Sequence, residues 1–182
     1  TMVQLREKNL GEKAFIEKGK RLKDLLDRYQ VPLIINDNVK VALAIDAAGI
    51  HVGQSDMPFP MLKEVFPAGK LIGVSAEKPE DVYQAETWDL SYLAASPLYA
   101  TPTKTDTEKP WEIEGLRWMK NHSRHPIVVI GGLNENNTPA ALENGAKGIA
   151  VISAICSAAS PMLAAQKLKT QIVQAKKSNV TF

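Results

Sequence analysis

Near the start of the chain, Val3-Gln4-Leu5-Arg6-Glu7-Lys8 sets an amide, a guanidinium and an ammonium on alternate positions. Side chains alternate across a strand, so Gln4, Arg6 and Lys8 would share one face and Val3, Leu5 and Glu7 the other. Burying such groups without acceptors is costly. The polar face is therefore either a wet edge or the lining of an anion site. Two acidic residues complement it: Asp37 follows the apolar run 31–35, and Asp56 follows the run 49–52. A pair of carboxylates, completed by waters and phosphate oxygens, is how Mg²⁺ is usually held, and turn or cap formation is their alternative use.

The remaining polar candidates also come directly after apolar runs. They are Asn36, Gln54, Ser75, the stretch Thr101-Pro102-Thr103-Lys104, the pair Gly131-Gly132, and Ser153. The glycine pair permits close approach of backbone to a ligand, and its N–H groups precede a helix expected over 136–144. Ser153, ahead of the last helix, could donate to the same anion. Two anion sites result, one cationic with a metal near Arg6, Lys8, Asp37 and Asp56, and one of neutral donors near Gly132 and Ser153. An enzyme joining a diphosphate substrate to a monophosphate substrate would need that arrangement. Neither GxGxxG nor GxxxxGK[ST] occurs, so dinucleotide and P-loop nucleotide binding find no support.

The elements that must position these groups are short strands separated by helices. Apolar runs near residues 3, 31, 49, 71, 91, 127 and 149 alternate with helical stripes or proline-led helix starts, as at Phe15, Leu22, Leu25 and Leu26 or at Pro79. Strands apolar on both faces describe a parallel sheet covered by helices, with ligands at the carboxyl ends of the strands. Nothing divides the 182 residues, which predict a single domain over 1–182. Seven strands would suit a doubly wound sheet, whereas a closed (β/α)₈ barrel needs eight. For a barrel, the expectation is that one βα unit is missing from the front.

Composition narrows the function. A hydrophobic content of 45% and a charged content of 23% are ordinary for a globular chain. No apolar run reaches membrane-spanning length and no leader pattern precedes the first strand, so a cytoplasmic protein without membrane association is expected. A formal charge of +2, without a basic helix face, argues against nucleic acid. Cys156 is the single cysteine, which excludes an intrachain disulfide, and its apolar surroundings predict burial. The three histidines lack zinc-ligand spacing. His51 reads as a packed core residue, and His122 and His125 as solvated.

The same residues, in the same order, resemble a known family, thiamine-phosphate synthase. Val3-Gln4-Leu5-Arg6-Glu7-Lys8 is similar to the family's opening signature, and Ile35-Asn36-Asp37 and His51-Val52-Gly53-Gln54-Ser55-Asp56 to its metal segments. Pro97-Leu98-Tyr99-Ala100-Thr101-Pro102-Thr103-Lys104 resembles the thiazole-phosphate loop, and Val129-Ile130-Gly131-Gly132-Leu133 and Val151-Ile152-Ser153 the phosphate-binding strand ends. The resemblance implies a (β/α)₈ TIM barrel lacking its first βα unit, so that the single domain is N-terminally incomplete. It also implies Mg²⁺ on Asp37 and Asp56. Gln4, Arg6, Lys8 and Asn36 would hold the diphosphate, with Ser75 and Lys104 serving the pyrimidine and its leaving group. Thr101, Thr103, Gly132, Ile152 and Ser153 would take the thiazole phosphate. The catalytic set would be Arg6, Lys8, Ser75 and Lys104, and the partners the two substrates and a second copy in a homodimer. Ala94-Ala95-Ser96 departs from the glycine-containing stretch expected before Pro97. The rivals are a related thiazole-phosphate isomerase, a non-catalytic binder of a phosphate ligand, and a structural role in a larger assembly.

Overall fold

The computed structural model describes residues 1–101 and 109–178. They form an α/β protein in which parallel strands alternate with helices, and the chain divides into two compact units, residues 1–75 and 76–182.

In the first unit the chain runs β1 (Val3–Leu5), α1 (Glu12–Asp27), β2 (Leu33–Asn36), α2 (Val39–Ala44), β3 (Gly49–Val52), α3 (Phe59–Val65) and β4 (Leu71–Ala76). β1 to β4 pair in chain order, all parallel. Every residue of β2 and β3 is buried, the pattern of strands covered on both faces. The register sorts their side chains. Leu5, Ile35, Ile50 and Ile72 form one row. A Cβ on Gly19 of α1 would lie 3.9 Å from Leu5 Cδ2 and 2.9 Å from Ile45 Cδ1, so this row faces the helices. Gln4 pairs with Ile34, and Asn36 pairs with His51, which pairs with Gly73. By alternation Gln4, Asn36, His51 and Ser75 therefore share the face away from α1.

α1 buries Phe15 and Gly19, while Leu22 and Leu26 are half-buried and Leu25 is exposed. The predicted stripe is present, but narrower than its periodicity suggests. Asn38 caps α2 by accepting the Val41 N–H at 3.0 Å, which starts the helix two residues after Asp37.

The second unit contains α4 (Pro79–Ala85), β5 (Tyr92–Ala95), α5 (Glu112–His122), β6 (Ile127–Ile130), α6 (Thr138–Glu143), β7 (Gly148–Ala150), α7 (Ser153–Cys156) and α8 (Pro161–Ser178). β5, β6 and β7 pair in order and in parallel. Asp81 of α4, itself buried, accepts the N–H groups of Glu77 and Lys78 at 2.8 and 3.1 Å and so closes the helix start. At the far end of α4 the Glu86 carboxylate accepts Ser123 Oγ at 2.6 Å and the Arg124 N–H at 3.1 Å.

Two expectations fail in this unit. His125 is buried rather than solvated, because the chain turns back under α4 after α5 and its Nε2–H donates to the Ala85 carbonyl at 2.9 Å. His122 is exposed as expected and stacks on Trp118 at 4.3 Å. Cys156 is exposed rather than buried. Its apolar segment folds as the single turn α7, which leaves Ile152 about half exposed as well (47%). Among the described residues, no helix is long and apolar enough to cross a membrane.

Candidate active site

In the first unit the charged candidates collect where β1, β2 and β3 end. β1 stops at Leu5, three residues short of the predicted strand end, so Arg6 and Lys8 lie on the segment that leaves it. The predicted alternation persists nonetheless: Gln4, Arg6 and Lys8 are exposed, and Leu5 is buried. Lys8 Nζ donates to Asp37 Oδ2 at 2.9 Å. Asp37 sits directly after β2 with φ +64°, a left-handed conformation that aspartate tolerates better than most residues. Its N–H donates to the His51 carbonyl at 2.8 Å, which fixes the turn against β3.

Asp56 reaches the same place from the loop after β3. Its Oδ2 accepts the Gly53 N–H at 2.8 Å. Burial, and then the hydrogen bond to the Asp37 carboxyl, push its carboxyl above the ordinary aspartate range, against the pull of the Gly53 N–H and the Lys8 ammonium. The two aspartates therefore converge, and burial with the neighbouring carboxyl disfavours the ionised form of Asp56. Oxygen donors under that tension fit a small hard cation. Among the described residues no group of three or more His, Cys, Asp and Glu could hold a metal, so waters and substrate oxygens would complete the coordination.

Beside this pair lie three residues of the face turned away from α1. Asn36, at the end of β2, is buried (8%). Ser75, at the end of β4, is also buried (7%), and its Oγ lies 3.0 Å from His51 Nε2. Gln54 holds the same residue from the loop side, its side-chain amide donating to the Ser75 carbonyl. The expectation that His51 is packed and hydrogen-bonded holds. Its contact with Ser75 was not foreseen, since residues 24 apart meet only through the β3–β4 register.

In the second unit the candidates are of a different kind. Gly131 and Gly132 follow β6 with φ +96° and +65°, where a side chain is strained. What approaches them is the chain's own segment 97–100. A Cβ on Gly131 would fall 2.6 Å from Pro97 Cβ, and one on Gly132 would fall 2.7 Å from the Ala100 carbonyl oxygen. The N–H of Leu98 donates to Ile130 O at 2.7 Å, and that of Tyr99 to Gly131 O at 3.2 Å. The returning chain is tied to the same base, Trp111 N–H to Pro97 O at 3.0 Å and Glu112 N–H to Leu98 O at 2.9 Å.

Thr101 is half-buried at the outgoing end of that connection. Thr103 and Lys104 lie outside the described residues. Asn137 Nδ2 donates to Gly132 O at 2.9 Å, and α6 begins at Thr138, two residues later than predicted. Ile152 is the N-cap of α7 and Ser153 its first residue, both exposed. A separate cleft of about 420 Å³, lined by Lys78, Lys109, Trp111 and Glu112 among others, includes none of the nominated residues.

Residues 1–155 match the family model described as thiamine monophosphate synthase. The chain belongs to that family. A thiamine-phosphate synthase from Vibrio campbellii is 46% identical over 168 residues, which cover 92% of this chain and 82% of the relative. Another, from Albidiferax ferrireducens, is 46% identical over 172 residues, covering 94% of this chain and 78% of that protein. Among solved structures, the thiamine phosphate pyrophosphorylase from Pyrococcus furiosus superposes with a TM-score of 0.89 at 35% identity, covering 96% of this chain and 84% of that one. Membership in the thiamine monophosphate synthase family makes the chain an enzyme, which sets aside the purely structural and purely binding readings.

Proposed function

We propose that the chain makes thiamine phosphate by a dissociative route, with the charged cluster of the first unit taking the leaving diphosphate. The family's reaction joins 4-amino-2-methyl-5-(diphosphomethyl)pyrimidine to 4-methyl-5-(2-phosphoethyl)thiazole and releases diphosphate; from the carboxylated form of the thiazole, carbon dioxide leaves as well. In the proposed route the bond between the pyrimidine methylene carbon and the diphosphate oxygen breaks first, its electron pair leaving with the oxygen. The thiazole nitrogen lone pair then closes the new C–N bond.

Arg6, Lys8, Asn36 and Gln4 would hold the diphosphate and stabilise the charge that grows on it. Asp37 and Asp56 would hold Mg²⁺, which when bound neutralises diphosphate oxygens and eases their departure. Ser75 and Lys104 would serve the pyrimidine and its leaving group. Thr101, Thr103, Gly132, Ile152 and Ser153 would receive the thiazole phosphate. No side chain is required as a nucleophile. The same reading carries a fold of the TIM-barrel type in a single domain, a homodimer, and a cytoplasmic setting.

One observation carries the reading: Lys8, Asp37 and Asp56 converge although they come from three separate strand ends. The test mixes both substrates with Mg²⁺ and intact protein and follows diphosphate release. Release that requires both substrates and the metal is expected. Its absence, with both substrates shown to bind, would return the protein to the role of a phosphate-ligand binder, and release of none but an isomerised thiazole would favour the related isomerase.

A further inference from the structure

His51 stands at a junction that the diphosphate and metal roles do not account for. Its carbonyl accepts the Asp37 N–H at 2.8 Å, while its ring Nε2 lies 3.0 Å from Ser75 Oγ. The ring is buried (7%), and so is Ser75. Gln54, three residues further on, grips the same serine through its carbonyl. Two side chains from β3 and its following loop thus converge on one residue of β4, one on its hydroxyl and one on its backbone.

A packing role alone would not need this chemistry. On the same face of the sheet the buried position Ile34 is filled by an aliphatic side chain. A serine hydroxyl has one proton and two lone pairs. The imidazole engages one of those directions, and the direction it takes decides what the hydroxyl can still offer a ligand. Burial makes the arrangement durable, because an unpaired ring nitrogen or hydroxyl here would be costly.

We infer that His51 is a positioning residue that sets the Ser75 hydroxyl for the pyrimidine diphosphate. The inference rests on the proposed role of Ser75 as a ligand to that substrate. His51 need touch no reacting atom. It acts through Ser75, and Gln54 holds the same serine's backbone in place.

The experiment is a double-mutant cycle on the coupling reaction, using His51→Leu, His51→Gln and Ser75→Ala singly and combined, with melting temperature measured for each. Gln keeps a hydrogen-bonding group near the position of Nε2, and Leu does not. His51→Leu should lower kcat/KM for the pyrimidine diphosphate about tenfold with Ser75 present, and change it by less than about threefold in the Ser75→Ala background. His51→Gln should restore most of the loss. In the intact protein, Ser75→Ala should shift the ring ¹⁵N resonances of His51.

Equal losses in both backgrounds, or a Gln variant as poor as Leu at unchanged melting temperature, would overturn the inference. If His51→Leu does not fold, the cycle is completed with His51→Gln, whose effect must then vanish in the Ser75→Ala background. A Ser75→Ala variant with full activity would instead sink the assigned role of Ser75, and an inactive wild type the coupling reading itself.

Discussion

The two units carry polar candidates of opposite character. In the first, Lys8, Asp37 and Asp56 are charged side chains from separate strand ends, held together by an ion pair and a shared hydrogen bond. In the second, Gly131 and Gly132 present backbone, and the side chains nominated with them, Thr101 and Ser153, are neutral hydroxyls. Charge can stabilise a departing diphosphate over several ångströms. Neutral donors must be placed to within a hydrogen bond of a ligand that keeps its charge throughout. Under the proposed roles the first cluster depends on electrostatics, and the candidates of the second unit on backbone shape.

That contrast can be broken most forcefully at the carboxylates. Asp37→Asn or Asp56→Asn should each reduce coupling by about 10³-fold, the scale of losing a preorganised charge interaction, measured as diphosphate release at saturating Mg²⁺. A loss below tenfold in both would mean that the aspartates only shape the turns around them.

At Gly132 the expected damage falls on stability instead. An alanine there would combine a left-handed φ with a 2.7 Å approach to the Ala100 carbonyl, so unfolding should be easier by about 1–3 kcal/mol. Denaturant titration reads this directly, and an unchanged midpoint would show that the segment 97–100 yields at little cost. Ser153→Ala should cost less, about tenfold and mainly in KM for the thiazole phosphate, since one neutral hydrogen bond is removed. An effect confined to kcat would move Ser153 out of the substrate-holding set.

The carboxyl of Asp56 gives the contrast a pH signature. Its folded-state value is raised, so its contribution to stability is fully present below the ordinary aspartate range and is lost as pH rises through the raised value. Metal-free protein should then be relatively weaker at neutral pH than in mild acid at this site. Mg²⁺ should raise the melting temperature more at neutral pH than in acid, and metal-free Asp56→Asn should lose the pH dependence. An Mg²⁺ effect independent of pH would disconnect the metal from this pair. The smallest effect is expected at Asp46, an exposed carboxylate lowered by its hydrogen bond to Lys70 at 2.5 Å. Lys70→Ala should leave coupling unchanged and lower the melting temperature slightly, a difference that high salt removes.

Much of the first cluster was legible in the linear chain because its information is local. Alternation predicts Gln4, Arg6 and Lys8 together on one face, and all three are exposed although the strand stops at Leu5. An aspartate directly after an apolar run lies at a strand end whatever the rest of the fold does. The candidates of the second unit were nominated by their place after apolar runs, and only the resemblance to a known family gave them a ligand. Glycines and hydroxyls after a strand occur in any turn, and Gly131 and Gly132 proved to accommodate the chain's own 97–100 segment. His125 and Cys156 were misread for one reason in opposite directions. Burial depends on which element covers a residue, and neither the polarity of one neighbourhood nor the apolarity of the other reports that.

By itself, the sequence determined the alternation of strands and helices, the parallel sense of the sheet, and the supply of cations, carboxylates and small residues at strand ends. Periodicity and chain direction are properties of neighbours along the chain. The tertiary structure decided which of those groups meet. Lys8 and Asp37 are 29 positions apart, and His51 and Ser75 are 24 apart. Such pairs are joined only when strand register brings distant segments to the same level of a sheet.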